Sequence, residues 1–279
     1  MELAHPKHAT SIWICPLCEQ ALVLNSMGSS WSCVNKHNFD CAKEGYVNLL
    51  PSNKKHSAQP GDSAQMITAR RKIHTSEIYQ PLADAVLEHI SAFNPLIKIL
   101  DIGCGEGYYS GVLHCGLPGV EICGVDISKA AIRLAAKNYP KIQFAVASSF
   151  ALPVPTATQD MIVRIFAPCD DSEVIRVLKV EGRYLEVTPA PTHLWSLREA
   201  LYDTPREHAS SREQVPGLEA IASTTVAYDV DMQQSLLRDL ITMTPFAHRG
   251  HREKRELLFA RECMKVNMAF TLRLFRKAR

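Results

Sequence analysis

The short apolar run Ile97-Lys98-Ile99-Leu100-Asp101 breaks into three glycines at alternate positions, Gly103, Gly105 and Gly107, and this limits the possible folds of the 279-residue chain more than any other feature. Its β-branched residues favour a strand, and the glycines let the backbone turn sharply and approach a ligand where a Cβ would clash. Strand-like runs recur at Glu121 to Val125, Gln143 to Val146, Met161 to Phe166 and Tyr184 to Val187, with helix-like stretches between the first pairs, the clearest being Ser128 to Asn138. Strands alternating with helices predict an α/β fold, a parallel sheet with helices on both faces. Upstream, Asp62 or Ser63 can cap a helix running to His74, and Leu82, Val86, Leu87 and Ile90 give a second helix over Tyr79 to Phe93. Beyond Pro189 the pattern predicts helices near Leu194–Tyr202, Met232–Met243 and Arg252–Cys263, then a late strand over Val266–Phe275.

A strand, a glycine loop and a helix in that order serve dinucleotides as well as S-adenosylmethionine. Three details favour S-adenosylmethionine. The spacing is G-x-G-x-G, not G-x-G-x-x-G. Asp101 stands just before the loop, where it suits an ammonium group and not a pyrophosphate. Asp126 ends the next strand, where a carboxylate can accept hydrogen bonds from both ribose hydroxyls. Asp101, Gly103, Gly105, Gly107 and Asp126 are therefore candidate cofactor residues.

Ahead of this core, Cys15-Pro16-Leu17-Cys18 forms a knuckle, and Cys33 and His37 complete the spacing C-x2-C-x14-C-x3-H. Zn(II) favours tetrahedral thiolate and imidazole ligation, and a close pair on each of two turns supplies four ligands at low entropic cost. Cys15, Cys18, Cys33 and His37 leave no open position, so they predict a structural site whose metal supplies folding free energy that so small a core lacks. Cys41 competes as fourth ligand, and the compact Cys33-x3-His37 pair favours His37. The remaining cysteines, Cys104, Cys115, Cys123, Cys169 and Cys263, lie scattered in apolar or loop sequence and are expected to be inert, partly buried thiols.

No apolar run approaches the roughly 18 residues that cross a bilayer, and Met1 to Thr10 lacks the apolar stretch of a secretory signal. A cytoplasmic location with no membrane partner is the expectation. Net charge is only +2, but the stretch from Arg249 to Arg279 carries a local +7, which is compatible with a polyanionic partner.

Together the two motifs, with several longer stretches, resemble the bacterial 23S rRNA (guanine-N1)-methyltransferases of the RlmA (RrmA) family. The resemblance rests on the Cys15 knuckle, Phe39-Asp40, the run from Ala42 to Pro51, Pro60-Gly61-Asp62-Ser63, Asp101 to Tyr109, Arg164 to Cys169, and Met243-Thr244-Pro245-Phe246. It implies a class I (Rossmann-like) methyltransferase domain with a small N-terminal zinc-binding domain. The implied division is 1–51 as a zinc-binding RNA-recognition module, 52–95 as linker and helices, and 96–279 as the S-adenosylmethionine-dependent domain. It also implies a homodimer with a cleft for an rRNA hairpin, and methyl transfer to N1 of a guanine in domain II of 23S rRNA, guanine 745 or a neighbour. Cofactor contacts carried over by matching motif are Gly105, Glu106, Tyr79 and His193, with Ser148 after the third strand at the adenine.

Guanine N1 is protonated and paired in a duplex, so the base must be unpaired or flipped out before it can be methylated. The loop Phe166-Ala167-Pro168-Cys169-Asp170 stands where related enzymes hold the target base, and Asp170 or Asp171 is the candidate proton acceptor. Cys169 is not expected to act as a nucleophile, because N1 needs no adduct. Lys54, Lys55, Arg70, Arg71 and Lys72 flank the zinc module and suit phosphate contacts, with the basic C-terminal stretch as a second candidate. Trp13 and Trp31 are placed either to stack on a base or to fill the module's core.

Overall fold

A computed structural model of the chain describes residues 12–51, 61–93, 98–209, 213–247 and 251–278. Lys54 and Lys55 lie outside the described residues. The chain begins with the short strands β1 (Val23–Leu24), β2 (Ser30–Ser32) and β3 (Asn38–Asp40), which form a small antiparallel sheet. β4 (Val47–Asn48) follows, then the helices α1 (Ala64–Thr75) and α2 (Gln80–Ser91). The alternating core comprises β5 (Lys98–Ile102), α3 (Tyr108–Gly116), β6 (Glu121–Asp126), α4 (Lys129–Asn138), β7 (Gln143–Val146), β8 (Gln159–Ile165), α5 (Asp171–Val177) and β9 (Leu178–Pro189). The C-terminal part adds α6 (Trp195–Leu201), β10 (Leu218–Gln233), α7 (Gln234–Thr242), a 3-10 turn at Pro245–Ala247, α8 (Arg252–Ala260) and β11 (Cys263–Lys277).

Eight strands form one sheet in the order β10-β11-β9-β8-β5-β6-β7-β4. β4 to β9 run parallel, while β11 pairs antiparallel with β9 and β10 antiparallel with β11. The chain steps one way from β5 to β6 and the other way to β8, so a crevice opens beyond the carboxyl ends of these strands. The two expected upstream helices form, and Ser63 caps α1 by accepting from the Met66 N–H.

Three features differ from the sequence expectations. Val47 and Asn48 pair with Ala145 and Val146, so the end of the 1–51 segment forms the edge strand of the large sheet. β10 is a 16-residue strand where no strand was expected. The third concerns what covers the sheet. Side chains alternate across a strand: Ile99, Met161 and Val163 enter a core with α2, α4 and α7, while Leu100, Ile102 and Ile162 face the other way. That second core is closed by Val174 and Val177 of α5 together with Trp13, Leu22 and Trp31 of the zinc module. The module thus serves as part of one face of the sandwich. Trp13 and Trp31 are 1% and 7% exposed, so they pack and do not stack on a base.

Candidate functional site

Cys15, Cys18, Cys33 and His37 converge, with their ligand atoms all within 4.8 Å of one another. His37 Nδ1 lies 3.4 Å from Cys15 Sγ, 3.3 Å from Cys18 Sγ and 3.5 Å from Cys33 Sγ, and the Cys18 and Cys33 sulfurs are 3.7 Å apart. Tetrahedral zinc, with Zn–S near 2.3 Å and Zn–N near 2.0–2.1 Å, requires edges of about 3.8 Å between sulfurs and about 3.6 Å from sulfur to nitrogen. The spacing therefore fits zinc, bound through Nδ1. The backbone N–H of Gln20 is the main influence drawing the Cys18 thiol down to about 6, which favours the ligating thiolate. Cys41 is outside this group, and burial, with Asp40 adding to it, raises its thiol.

Beyond the carboxyl ends of β5, β6 and β8 lies a cavity of about 1030 Å³, at the upper end of the roughly 300–1,000 Å³ usual for small-molecule sites. One wall is the glycine loop. Gly103 has a positive φ of +73°, and a Cβ there would sit 2.2 Å from the Ala167 Cβ, so the loop after β8 can close against it only because residue 103 is glycine. A Cβ on Gly105 would meet only the Arg70 guanidinium, at 3.9 Å, which leaves a cradle open to the cavity. Gly107 does not line the cavity; it starts α3 in the left-handed conformation, packed against Ala135, Tyr139 and Phe144.

Asp126 accepts from the Gly105 N–H at 3.0 Å and the Ser128 N–H at 2.7 Å, which ties the second acid to the loop. Burial raises its pKa against the pull of these two donors. Asp101 accepts from the Ser110 hydroxyl at 2.6 Å, and burial pushes it up to about 7. Glu106 pairs through Oε1 with His74 Nδ1 at 2.9 Å, while its Oε2 is buried with no partner among the described residues. An orphan carboxylate oxygen beside an open cradle matches a ligand that carries an ammonium group and hydroxyls, as S-adenosylmethionine does. Tyr79, Ser148 and His193 also line the cavity.

Several expected residues fall elsewhere. Arg70 lines the cavity, ion-paired with Asp62. Arg71 and Lys72 are exposed, Lys72 pairing with Asp239 at 3.2 Å. Asp170 and Asp171 do not line the cavity. Asp170 is exposed and caps α5, and the Ser172 N–H holds its carboxyl below the ordinary value, which makes it a poor base. The Cys169 thiol is pushed up to about 11 by burial, the wrong direction for a nucleophile. Cys104 and Cys123 are buried as expected, whereas Cys115 and Cys263 are exposed.

The opposite wall was not foreseen as a unit. It is built from the segment after β9, with His193, Arg198, Tyr202 and His208, and from Met243 to Phe246. His193 and the stretch Met243-Thr244-Pro245-Phe246 were the sequence signals pointing to it; the rest comes together only through the turn between β9 and α6.

Residues 13–58 match the family model described as "RlmA, N-terminal", a zinc ribbon, and residues 99–185 match a methyltransferase domain. YxjB of Bacillus subtilis, assigned by its name to the 23S rRNA (guanine-N(1)-)-methyltransferases, is 32% identical over 262 residues, 89% of this chain and 91% of that one. The 23S rRNA (guanine(748)-N(1))-methyltransferase of Streptomyces fradiae is 31% identical over 239 residues, 83% of this chain and 84% of that one. Full-length similarity, the ribbon with its four ligands and a cofactor cleft at the sheet's switch point lead to one assignment: the chain belongs to the RlmA family of S-adenosylmethionine-dependent 23S rRNA (guanine-N1)-methyltransferases.

Proposed function

We propose that the chain transfers a methyl group to N1 of a guanine in a domain II hairpin of 23S rRNA, with guanine 745 as the target. The observation that carries this reading is the joint between the two motifs. The zinc ribbon is anchored where the Ile14 N–H donates to the Pro153 carbonyl at 2.9 Å, on the same loop whose first residues, Ser148 to Phe150, line the cavity. An RNA held by the module is thereby delivered to the rim of the cleft. S-adenosylmethionine supplies an electrophilic methyl group on a sulfonium. The protein's contribution is positional. Asp126 is set to hold the ribose hydroxyls, Asp101 and the free oxygen of Glu106 the ammonium end, and Ser148 the adenine side. Phe166, in the left-handed conformation at the end of β8, presents an exposed ring at the cavity on which an extruded base can stack.

The chain is further proposed to act in the cytoplasm as a homodimer, as the family resemblance implies. The long exposed edge of β10 supports this, since its unpaired backbone groups can accept a second copy. Methylation of protein-free 23S rRNA, followed by mass mapping of the hairpin, tests the whole reading. A methyl group on N1 of guanine 745, absent with Asp126→Ala, is the expected result, from protein that sediments at twice 31.1 kDa. Methylation at guanine 748 would transfer the specificity of the Streptomyces relative. An unmethylated hairpin would refute the assignment.

A further inference from the structure

Arg198 is a half-buried basic residue in the wall of the cavity. Arg70 is neutralised by Asp62 and the buried Arg164 by Glu186, but Arg198 has no carboxylate partner among the described residues. It projects from α6 into the cavity wall, where it donates to the Arg206 carbonyl and to His208 Nε2. Its Nε is buried with no hydrogen-bond partner among the described residues, and its guanidinium carbon lies 5.6 Å from the centre of the Phe246 ring. All of its acceptors are neutral, so the positive charge remains uncompensated in a half-buried, aromatic-lined wall.

The groups facing it do not alter that charge. His193 and His208 are held down to about 3 and about 4, mainly by burial, with Arg198 itself contributing in both, so both imidazoles are neutral near pH 7. His193 accepts the Ala269 N–H on Nδ1, which fixes its other ring nitrogen as a donor. Tyr202 is the C-cap of the same helix. Across α8, Asp203 is already engaged by Lys254 and His251. Arg206 and Glu207 at the rim are exposed and of opposite sign.

Resting on the reading that this cleft takes a guanine beside the cofactor, we infer that Arg198 is a catalytic residue that stabilises the N1-deprotonated base through its O6. Neutral guanine is a poor nucleophile at N1 because the nitrogen lone pair is delocalised into the ring carbonyl. Loss of the N1 proton to solvent leaves a negative charge shared between N1 and O6. The N1–C bond then forms as the methyl–sulfur bond breaks with its electron pair staying on sulfur, which yields a neutral methylguanine and a neutral thioether. No carboxylate base is needed, in keeping with the absence of Asp170 and Asp171 from the cavity lining. A guanidinium beside O6 lowers the pKa of the bound base, as an opposite charge at close range does in a low-dielectric site. The surrounding rings of Tyr202 and Phe246 suit a flat base better than a phosphodiester.

Single-turnover methylation of the rRNA hairpin, measured from pH 6 to 10 with wild type, R198Q and R198K, tests this. The rate should rise with pH to a plateau. In R198Q the inflection should move up by about one to three pH units and the rate at pH 7 should fall about tenfold per unit, with R198K restoring most of the shift. A hairpin whose target guanine carries a substituent that acidifies N1 should recover part of the R198Q loss. Calorimetric binding of S-adenosylmethionine by the variants, unchanged from wild type, excludes a folding defect. An R198Q profile with the wild-type inflection, even with weaker RNA binding, overturns the assignment and leaves Arg198 a phosphate contact. A wild type that methylates no RNA at any pH fails at the earlier step, the proposed function itself.

Discussion

Asp101 shows how a residue can be visible in a sequence while its chemistry is not. Its position before the glycine loop marked it as a cofactor residue, but only the folded environment, with burial as the main cause, raises its carboxyl to about 7. Ser110 opposes that shift and the nearby Asp126 adds to it. The unfolded chain releases this proton near the ordinary carboxylate value, so between about pH 4 and 7 the folded state binds more protons than the unfolded one. Stability contributed by this group therefore falls as pH rises through that window and stays low above it. Asp101→Asn cannot ionise and keeps an acceptor for Ser110. The variant is expected to be more stable than wild type by about 1–4 kcal/mol at pH 8, by less at pH 5, and to bind S-adenosylmethionine weakly or not at all. Scanning calorimetry at both pH values checks the first point, and titration calorimetry the second. A variant less stable than wild type at pH 8 would contradict the burial argument.

Among the elements, legibility followed burial. The strands β5 to β8, buried on both faces, read as short continuous apolar runs, and the helices α1, α2 and α4 carry a cap or apolar residues at helical spacing, so their places could be read within a residue or two. β11 was visible by the alternation around Val266, Met268 and Phe270, whereas its partner β10 was not. Every residue from Glu219 to Thr225 is exposed, so the first half of β10 has no apolar period to display. The second half does, with Val226, Tyr228, Val230 and Met232 facing the core in alternation with exposed residues, and that signal was missed. The zinc spacing was equally clear as a ligand set, but not as a wall of the sandwich, because docking of Trp13 and Leu22 against the sheet leaves no local pattern. This docking predicts that metal loss is felt beyond the ribbon. His37→Ala should lose zinc and Cys41→Ala should retain one zinc per chain, as measured by elemental analysis. The His37 variant should also bind S-adenosylmethionine more weakly, since the Ile14 to Pro153 bond and the shared core no longer hold the loop carrying Ser148. Retention of zinc after His37→Ala would reinstate Cys41 as the ligand.

Across the whole molecule, part of the basic C-terminal stretch is engaged internally. Arg276 pairs with Glu219 and lies near Glu181, Lys265 pairs with Asp229, Lys254 with Asp203 and Arg252 with Glu256. Lys277 donates to the Ile175 and Leu178 carbonyls at the end of α5. Part of the local +7 is thus taken up by surface pairs that tie β11 and α8 to their neighbours, and charge counting cannot see those with Asp203, Glu219 and Asp229 because these partners are distant in the chain. Arg71 is different: it is exposed on α1, one turn from the residues that line the cleft, and α1 packs against α7. Binding of the rRNA hairpin should therefore lose salt dependence with Arg71→Ala, the slope of log affinity against log salt falling by about 0.7–0.9 for one lost phosphate contact. Arg276→Ala should leave that slope unchanged while changing stability little, as loss of an exposed pair does. A slope that falls with Arg276→Ala and not with Arg71→Ala would move the RNA path from α1 to the β11 edge of the sheet.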